Sequence, residues 1–206
     1  MSVEIINKPG QLPAFWNRSI IFFANIQSIF FDNQGGLERL KQRVSGVETY
    51  GGRLIPIINL MFSGDKNLLV LERPPDQTLL HYFEDDLGLS IPDIAILSHS
   101  AYNDLPNQID KSIHTEKSAE LTLIQQHSAS WIDGFVSDKV LMKIAKSLYK
   151  PTISSMEGSK KGNNKFLLHN NLSEKGFPVF DTILASSLND IPACIATLRN
   201  KGYEKA

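Results

Sequence analysis

Three lysines, Lys160, Lys161 and Lys165, stand within six consecutive residues of the stretch "GSKKGNNK", which runs from Gly158 to Lys165. Gly158 and Gly162 permit close approach of backbone to a ligand. The pattern predicts a loop-to-helix junction, where free backbone N–H groups and the helix dipole favour an anion. Lysine at a helix start is electrostatically unfavourable on its own, so a bound phosphate would account for the choice of residue. The other reading is a mobile, solvated surface loop, and composition does not choose between the two.

The remaining reactive residues are scattered. His81, His99, His114, His127 and His169 follow no ligand spacing, so no metal centre is expected. His99, in "SHSAYND", lies just beyond a strand end, where ligands sit in open α/β sheets, although a plain loop residue is the simpler reading. Glu84, Asp85 and Asp86 cluster late in a helix and oppose its dipole, with a solvated face as the simpler account. Cys194 falls on the apolar face of its helix and reads as a small core residue rather than a nucleophile. "DNQGG" after the first strand is no dinucleotide fingerprint, and neither a phosphate-loop motif nor a nucleophile elbow occurs. The sequence names no catalytic residue.

With 21 basic and 22 acidic residues, the surface as a whole is no general partner for nucleic acid or membrane, so any anion site must be local. A single cysteine forbids an internal disulfide and fits a reducing compartment. Charged residues or prolines interrupt every apolar run before it reaches bilayer-spanning length. The opening residues lack the basic-then-apolar pattern of a secretory signal, and a cytoplasmic location is expected.

The elements that must position these residues alternate. "SIIFFA" (Ser19–Ala24) is a buried strand, and Asp32 to Gly36 turn the chain into a helix carrying Leu37, Leu40 and Val44. "RLIPIINLMF" (Arg53–Phe62) is apolar almost all round, so periodicity leaves helix and strand open. "NLLVL" (Asn67–Leu71) is a strand. Asp76 caps a helix with Leu79, Leu80, Phe83 and Leu87 in one stripe, and Gly88 ends it. "DIAILS" (Asp93–Ser98) is a strand, followed by a polar loop and a helix over Glu116–His127. "WIDGFV" is a further strand, and Ser137 caps a helix with Val140, Leu141, Ile144, Ala145 and Leu148 inward. Pro151–Ser155 is a brief extended piece, and Ser187 with Asp190 forms a capping box before a last helix that ends at Gly202. Strands alternating with amphipathic helices predict a Rossmann-like α/β fold: an open, mainly parallel sheet with helices on both faces. The boundary is placed at 155/156, with 1–155 as this domain and 156–206 as a linker and helical start of a second.

Three blocks carry a family resemblance. "GVETYGGRLIPIINLMFSGDKNLLVLERPPDQTLLHYF" (Gly46–Phe83), "WIDGFVSDKVLMKIAKSLYKPTIS" and "GSKKGNNKFLLHNNLSEKGFPVF" occur in this order. They resemble the region preceding the catalytic fold of ATP-grasp carboxylate–amine or peptide ligases. The likeness spans roughly Gly46 to Gly202. It implies a pre-ATP-grasp domain in 1–155, the start of a nucleotide-binding ATP-grasp domain in 156–206, and a helix over Leu54–Phe62. It further implies ATP with Mg²⁺ in the complete enzyme, with small carboxylate and amine substrates and no nucleic acid or membrane partner; a homo-oligomer is left open. By the same resemblance Gly158, Ser159 and Lys160 match the motif that approaches the nucleotide phosphates, and Lys161 and Lys165 add positive potential. Gly51 and Gly52 stand where the family has acidic residues, and Asn163 and Asn164 lower the basic content of the motif helix. The second lysine on a following strand and the late acidic and Asn set for Mg²⁺ have no counterpart up to Ala206. The expectation is therefore a domain not active alone. The alternative is a stand-alone, non-catalytic α/β module that binds a nucleotide, another anion or a protein partner.

Overall fold

Four short apolar runs pair as strands because both of their faces are covered, which suits near-continuous Val, Ile, Leu and Phe. They are β1 (Ile20–Phe23), β2 (Leu68–Leu71), β3 (Asp93–Ile96) and β4 (Trp131–Gly134). A computed structural model describes residues 14–30, 34–64, 66–111 and 118–203. The chain divides into two compact units, Met1–Lys160 and Lys161–Ala206.

In the first unit the sheet has the order β3-β2-β1-β4 and every pairing is parallel. Ile21 stands opposite Leu68 on one side and Ile132 on the other. From β1 the chain steps outward through β2 to β3, then returns to the far side of β1 for β4. The direction of crossover therefore reverses between β1 and β4, and at such a reversal the loops beyond the strand ends part to leave a crevice.

Helices follow in turn: α1 (Gln34–Arg43), α2 (Ile55–Met61), α3 (Gln77–His81), α4 (His99–Lys111), α5 (Ala119–Gln126) and α6 (Lys139–Ser147). The pleat sorts the core into two layers. Ile21, Phe23, Leu68 and Val70 meet Tyr102, Leu105, Ile124, Leu141 and Ile144 on one face. Ile20, Ala24, Leu69 and Leu71 meet Ile55, Ile58 and Phe62 on the other. The sheet thus carries helices on both faces, as the alternation predicts. Gly51 lets the segment before α2 lie against the sheet: a Cβ there would stand 2.4 Å from Ala24 Cβ.

The ambiguous segment resolves as a 3-10 stretch (Val47–Leu54) leading into α2, with Pro56 in the first turn, where its missing N–H is harmless. Several readings need correction. The polar loop after β3 is the helix α4, whose sparse apolar stripe, Tyr102, Leu105 and Ile109, is hidden among Asn, Asp, Gln and an internal Pro106. Asp138, not Ser137, caps α6, its carboxylate accepting from Leu141 N at 2.7 Å. The stripe of α3 is only partly covered, and after His81 the chain widens into a π-helical turn over Tyr82–Asp86. The predictions at Asp32, Asn33, His114 and Glu116 lie outside the described residues.

Helix α7 (Met156–Asn163) runs past Lys160, the last residue of the first unit. In the second unit α8 (Lys165–Glu174) and α9 (Ile191–Asn200) are joined by an irregular stretch, pinned where His169 Nε2 meets Phe180 O at 2.8 Å. The predicted capping box is present: Asp190 accepts from Ser187 N at 2.9 Å. Gly176 and Gly202 end the two helices in left-handed conformations, at φ 75° and 96°. Half-buried Cys194, Ile195 and Leu198 form the inner stripe of α9.

Candidate functional site

The crevice is built on a polar network just past the end of β1. Asn25 is buried, and its side-chain amide donates to Val136 O at 2.8 Å and to Tyr102 Oη at 3.0 Å, while its oxygen accepts from Val136 N at 3.2 Å. The Tyr102 hydroxyl donates to Asp138 at 2.8 Å. Burial and the neighbouring Asp138 charge hold the Tyr102 phenol well above its ordinary value, so it remains a donor. Gly134 makes room for this arrangement, because a Cβ there would lie 2.7 Å from both Phe23 O and Asn25 Oδ1. One network therefore ties β1, α4 and the β4–α6 loop together at the carboxyl edge of the sheet.

Above it opens a cleft of about 500 Å³, wholly within the first unit and lined by residues that include Gln27, His99, Asn103, Lys139, Met156 and Lys160. His99 opens α4, Lys139 opens α6 and Met156 opens α7. Three helix N-termini thus border the cleft, each already capped by a side chain: Ser98 accepts from Ala101 N, Asp138 from Leu141 N and Ser155 from Gly158 N. Its lining carries both signs, with Lys139 and Lys160 beside Asp138 and Glu157.

Where the cleft meets the strand ends, the chemistry changes sign. Glu72, directly after β2, is buried and accepts from Gln27 Nε2 at 2.8 Å. Burial, first of all, raises its pKa from 4.5 to about 7; the bond from Gln27 opposes the rise, Glu48 adds to it and Lys41 opposes it. His99 Nδ1 lies 3.9 Å from Glu72 Oε1. Burial first, then Lys41, lowers the His99 pKa, so the imidazole is neutral at pH 7 and the two side chains are neighbours rather than an ion pair. A slot of about 10 Å³ lies beside Glu72, bordered by Asn25 and Tyr102, with room for about one water.

The lysine-rich stretch takes a different form from the predicted junction. Gly158 to Lys161 lie inside α7, which begins at Met156, and Ser155 Oγ already accepts from Gly158 N at 3.0 Å. Ser159 is buried and accepts from Ser137 N at 2.9 Å. It belongs to a cluster in which Asp133 accepts from Ser137 Oγ at 3.2 Å and from Ser154 N at 3.2 Å, joining α7 to the end of β4. Burial holds the Asp133 pKa above its ordinary value despite these bonds. Of the five residues expected around a nucleotide, Lys160 lines the cleft, Gly158 and Ser159 build α7, and Lys161 and Lys165 belong to the second unit. Lys165 is the first residue of α8, but Asn164 accepts from Phe166 N and Leu167 N, the amides an anion would use.

Other candidates have plainer roles. His127 Nδ1 accepts from Ala129 N at 3.2 Å, and its Nε2 faces Asp93 at 3.5 Å, beyond a well-formed bond; burial keeps the ring below its ordinary pKa. Lys150 caps the His127 and Ala129 carbonyls, and burial lowers its pKa. A larger hollow, about 640 Å³, runs along α3 beside Asp76, His81, Asp85 and Asp86. All four are exposed, so it is a surface depression of one helix rather than a built site. No group of three or more His, Cys, Asp or Glu residues among the described residues could hold a metal ion. No helix among them is long and apolar enough to cross a membrane.

Sequence reasoning missed Asn25, Gln27 and Glu72. The available signal was polar residues attached directly to the carboxyl ends of apolar strands, "FFANIQ" and "LLVLE". No protein-family model, curated protein or solved structure matches the chain.

Proposed function

We propose that the first unit is the ligand-cleft domain of an ATP-dependent carboxylate–amine ligase, and that it is not active alone. One observation carries the reading: Lys160, the lysine matched to the phosphate-approaching motif, lines a cleft of about 500 Å³ at the switch point of a parallel sheet, together with Lys139 and the starts of α4 and α6. Two lysine ammonium groups on one cleft suit a phosphate-bearing ligand. The residues fit ATP in that respect: Lys160 and Lys139 would meet its phosphates. ATP with Mg²⁺ would supply the phosphoryl group that activates a carboxylate. This chain's part is to bind and orient. Catalysis of phosphoryl transfer rests on such positioning together with charge stabilisation.

A second reading, a stand-alone module for a nucleotide or other anion, is favoured by the helical form of residues 156–163. There the lysine reaches a ligand by its side chain alone, without a backbone cradle. Calorimetric titration of the whole chain with Mg·ATP tests the binding common to both readings. Binding is expected, with Lys160→Ala weakening it by about tenfold or more. Unchanged affinity in that variant would remove Lys160 from the site.

A further inference from the structure

Gln27 is 2% exposed and Glu72 8% exposed. Among the described residues, Gln27 Oε1 and His99 Nδ1 nevertheless have no hydrogen-bond partner. A buried polar atom left without one is destabilising, because it has given up its water and gained nothing in return. Two such atoms beside one buried carboxylate, at the border of a cleft, mark a place built for something the chain does not itself provide.

The chemistry of the set is one-sided. Gln27 Nε2 is engaged by Glu72, which leaves the amide oxygen, an acceptor. Ionised Glu72 only accepts. His99 is neutral, and with its proton on Nε2 the buried Nδ1 is a third acceptor. Above about pH 7, where Glu72 is ionised, the cluster lacks donors and a positive charge. A water brings two hydrogens and no charge; a protonated primary amine brings three hydrogens and the charge that a buried carboxylate needs. Elsewhere in the same cleft the ammonium groups of Lys139 and Lys160 offer the opposite complement, beside the carboxylates of Asp138 and Glu157.

We propose that Gln27, Glu72 and His99 form an ammonium-binding subsite, and that the ligand of this cleft is a small primary amine with an anionic group at its other end, an amino acid being the simplest member of the class. The proposal rests on reading the cleft as a ligand site and names the chemistry of its occupant. It also implies competition with protons. Lys41 from α1 and Glu48 from the 3-10 stretch act on both Glu72 and His99, Asp138 at the cap of α6 acts on His99, and His99 Nδ1 itself stands 3.9 Å from Glu72. Within that surround, protonation of Glu72 removes the charge that holds the ammonium.

The test is calorimetric titration of the whole chain with the standard amino acids, with their N-acetyl forms, and with Mg·ATP. At least one amino acid is expected to bind, and its N-acetyl form is expected not to. Glu72→Gln and Gln27→Met are each expected to weaken binding by about tenfold or more. Affinity is expected to fall as the pH is lowered from about 8 to about 6, through the Glu72 titration. Circular dichroism checks that each variant folds; the two substitutions touch different residues, so misfolding of one leaves the other decisive. Equal binding of the N-acetyl form, wild-type affinity in a folded variant, or no bound amino acid overturns the subsite. If Mg·ATP binds through Lys160 while no amino acid does, the subsite falls and the cleft reading stands. If neither binds, both fall.

Discussion

Asn25 and Val136 are paired through both of their amide groups: Asn25 Nδ2 donates to Val136 O at 2.8 Å, and Val136 N donates to Asn25 Oδ1 at 3.2 Å. A side chain at the end of β1 thereby continues the bonding of the sheet beyond the last residue of β4. It fixes the width of the crevice at the point where the topology opens it.

Asn25→Ala leaves Val136 N, Val136 O and one bond of Tyr102 unsatisfied in a buried setting. The expected loss of stability is about 1–3 kcal/mol, read from urea unfolding. A loss below about 0.5 kcal/mol would show that water replaces the amide there.

Glu72 makes stability depend on pH in a defined direction. Its folded pKa, about 7, lies above the ordinary 4.5, so the native state holds the extra proton. The contribution is fully present below about pH 4.5 and is lost as pH rises through about 7. His99, with a lowered pKa, acts oppositely below its ordinary 6.5, so the comparison is best made against Glu72→Gln, which shares that background. The variant is expected to gain on wild type between about pH 5 and pH 8, by on the order of 2–3 kcal/mol. Parallel stability curves for the two proteins would refute the buried-carboxylate account.

Neighbouring glycines are expected to behave differently. A Cβ on Gly51 would stand 2.4 Å from Ala24 Cβ and 2.9 Å from a Leu71 methyl, whereas one on Gly52 meets nothing within 4 Å. Gly51→Ala should destabilise by about 1–3 kcal/mol as the segment is pushed off the sheet. Gly52→Ala should lie within about 0.5 kcal/mol of wild type or be slightly stabilising. Thermal melting of the two variants side by side decides it.

Ser159→Ala removes the acceptor for Ser137 N between β4 and α6. A loss of about 1 kcal/mol in urea unfolding is expected, because a buried N–H is left unmet. No loss would mean that Ser159 does not anchor α7.

The sheet was legible in the sequence because burial on both faces writes itself as runs such as "IIFF" and "LLVL", which few other arrangements require. Asp76 as a cap and Gly88 as a stop were legible because each acts within a few residues of itself. Helix α4 was not, since only Tyr102, Leu105 and Ile109 face the core and polar residues fill the rest. The lysine-rich stretch suggested a loop because its two glycines lower helix propensity, yet Ser155 caps α7 and Ser159 anchors it. The Gln27–Glu72 bond links positions 45 residues apart, and no local pattern carries that information.

The strand order has a consequence for how the chain is made. β1 lies between β2 and β4, and the bonds that close its second edge reach 111 residues downstream. At a synthesis rate of roughly 5–20 residues per second, that edge stays open on the ribosome for on the order of 5–20 seconds after Asn25 is added. Ile20–Phe23 is apolar, β-prone and free of charge, the composition most ready to pair with a stranger. The first half of the protein therefore waits with its most adhesive strand half-dressed, and any shielding it receives in that interval must come from outside the finished fold.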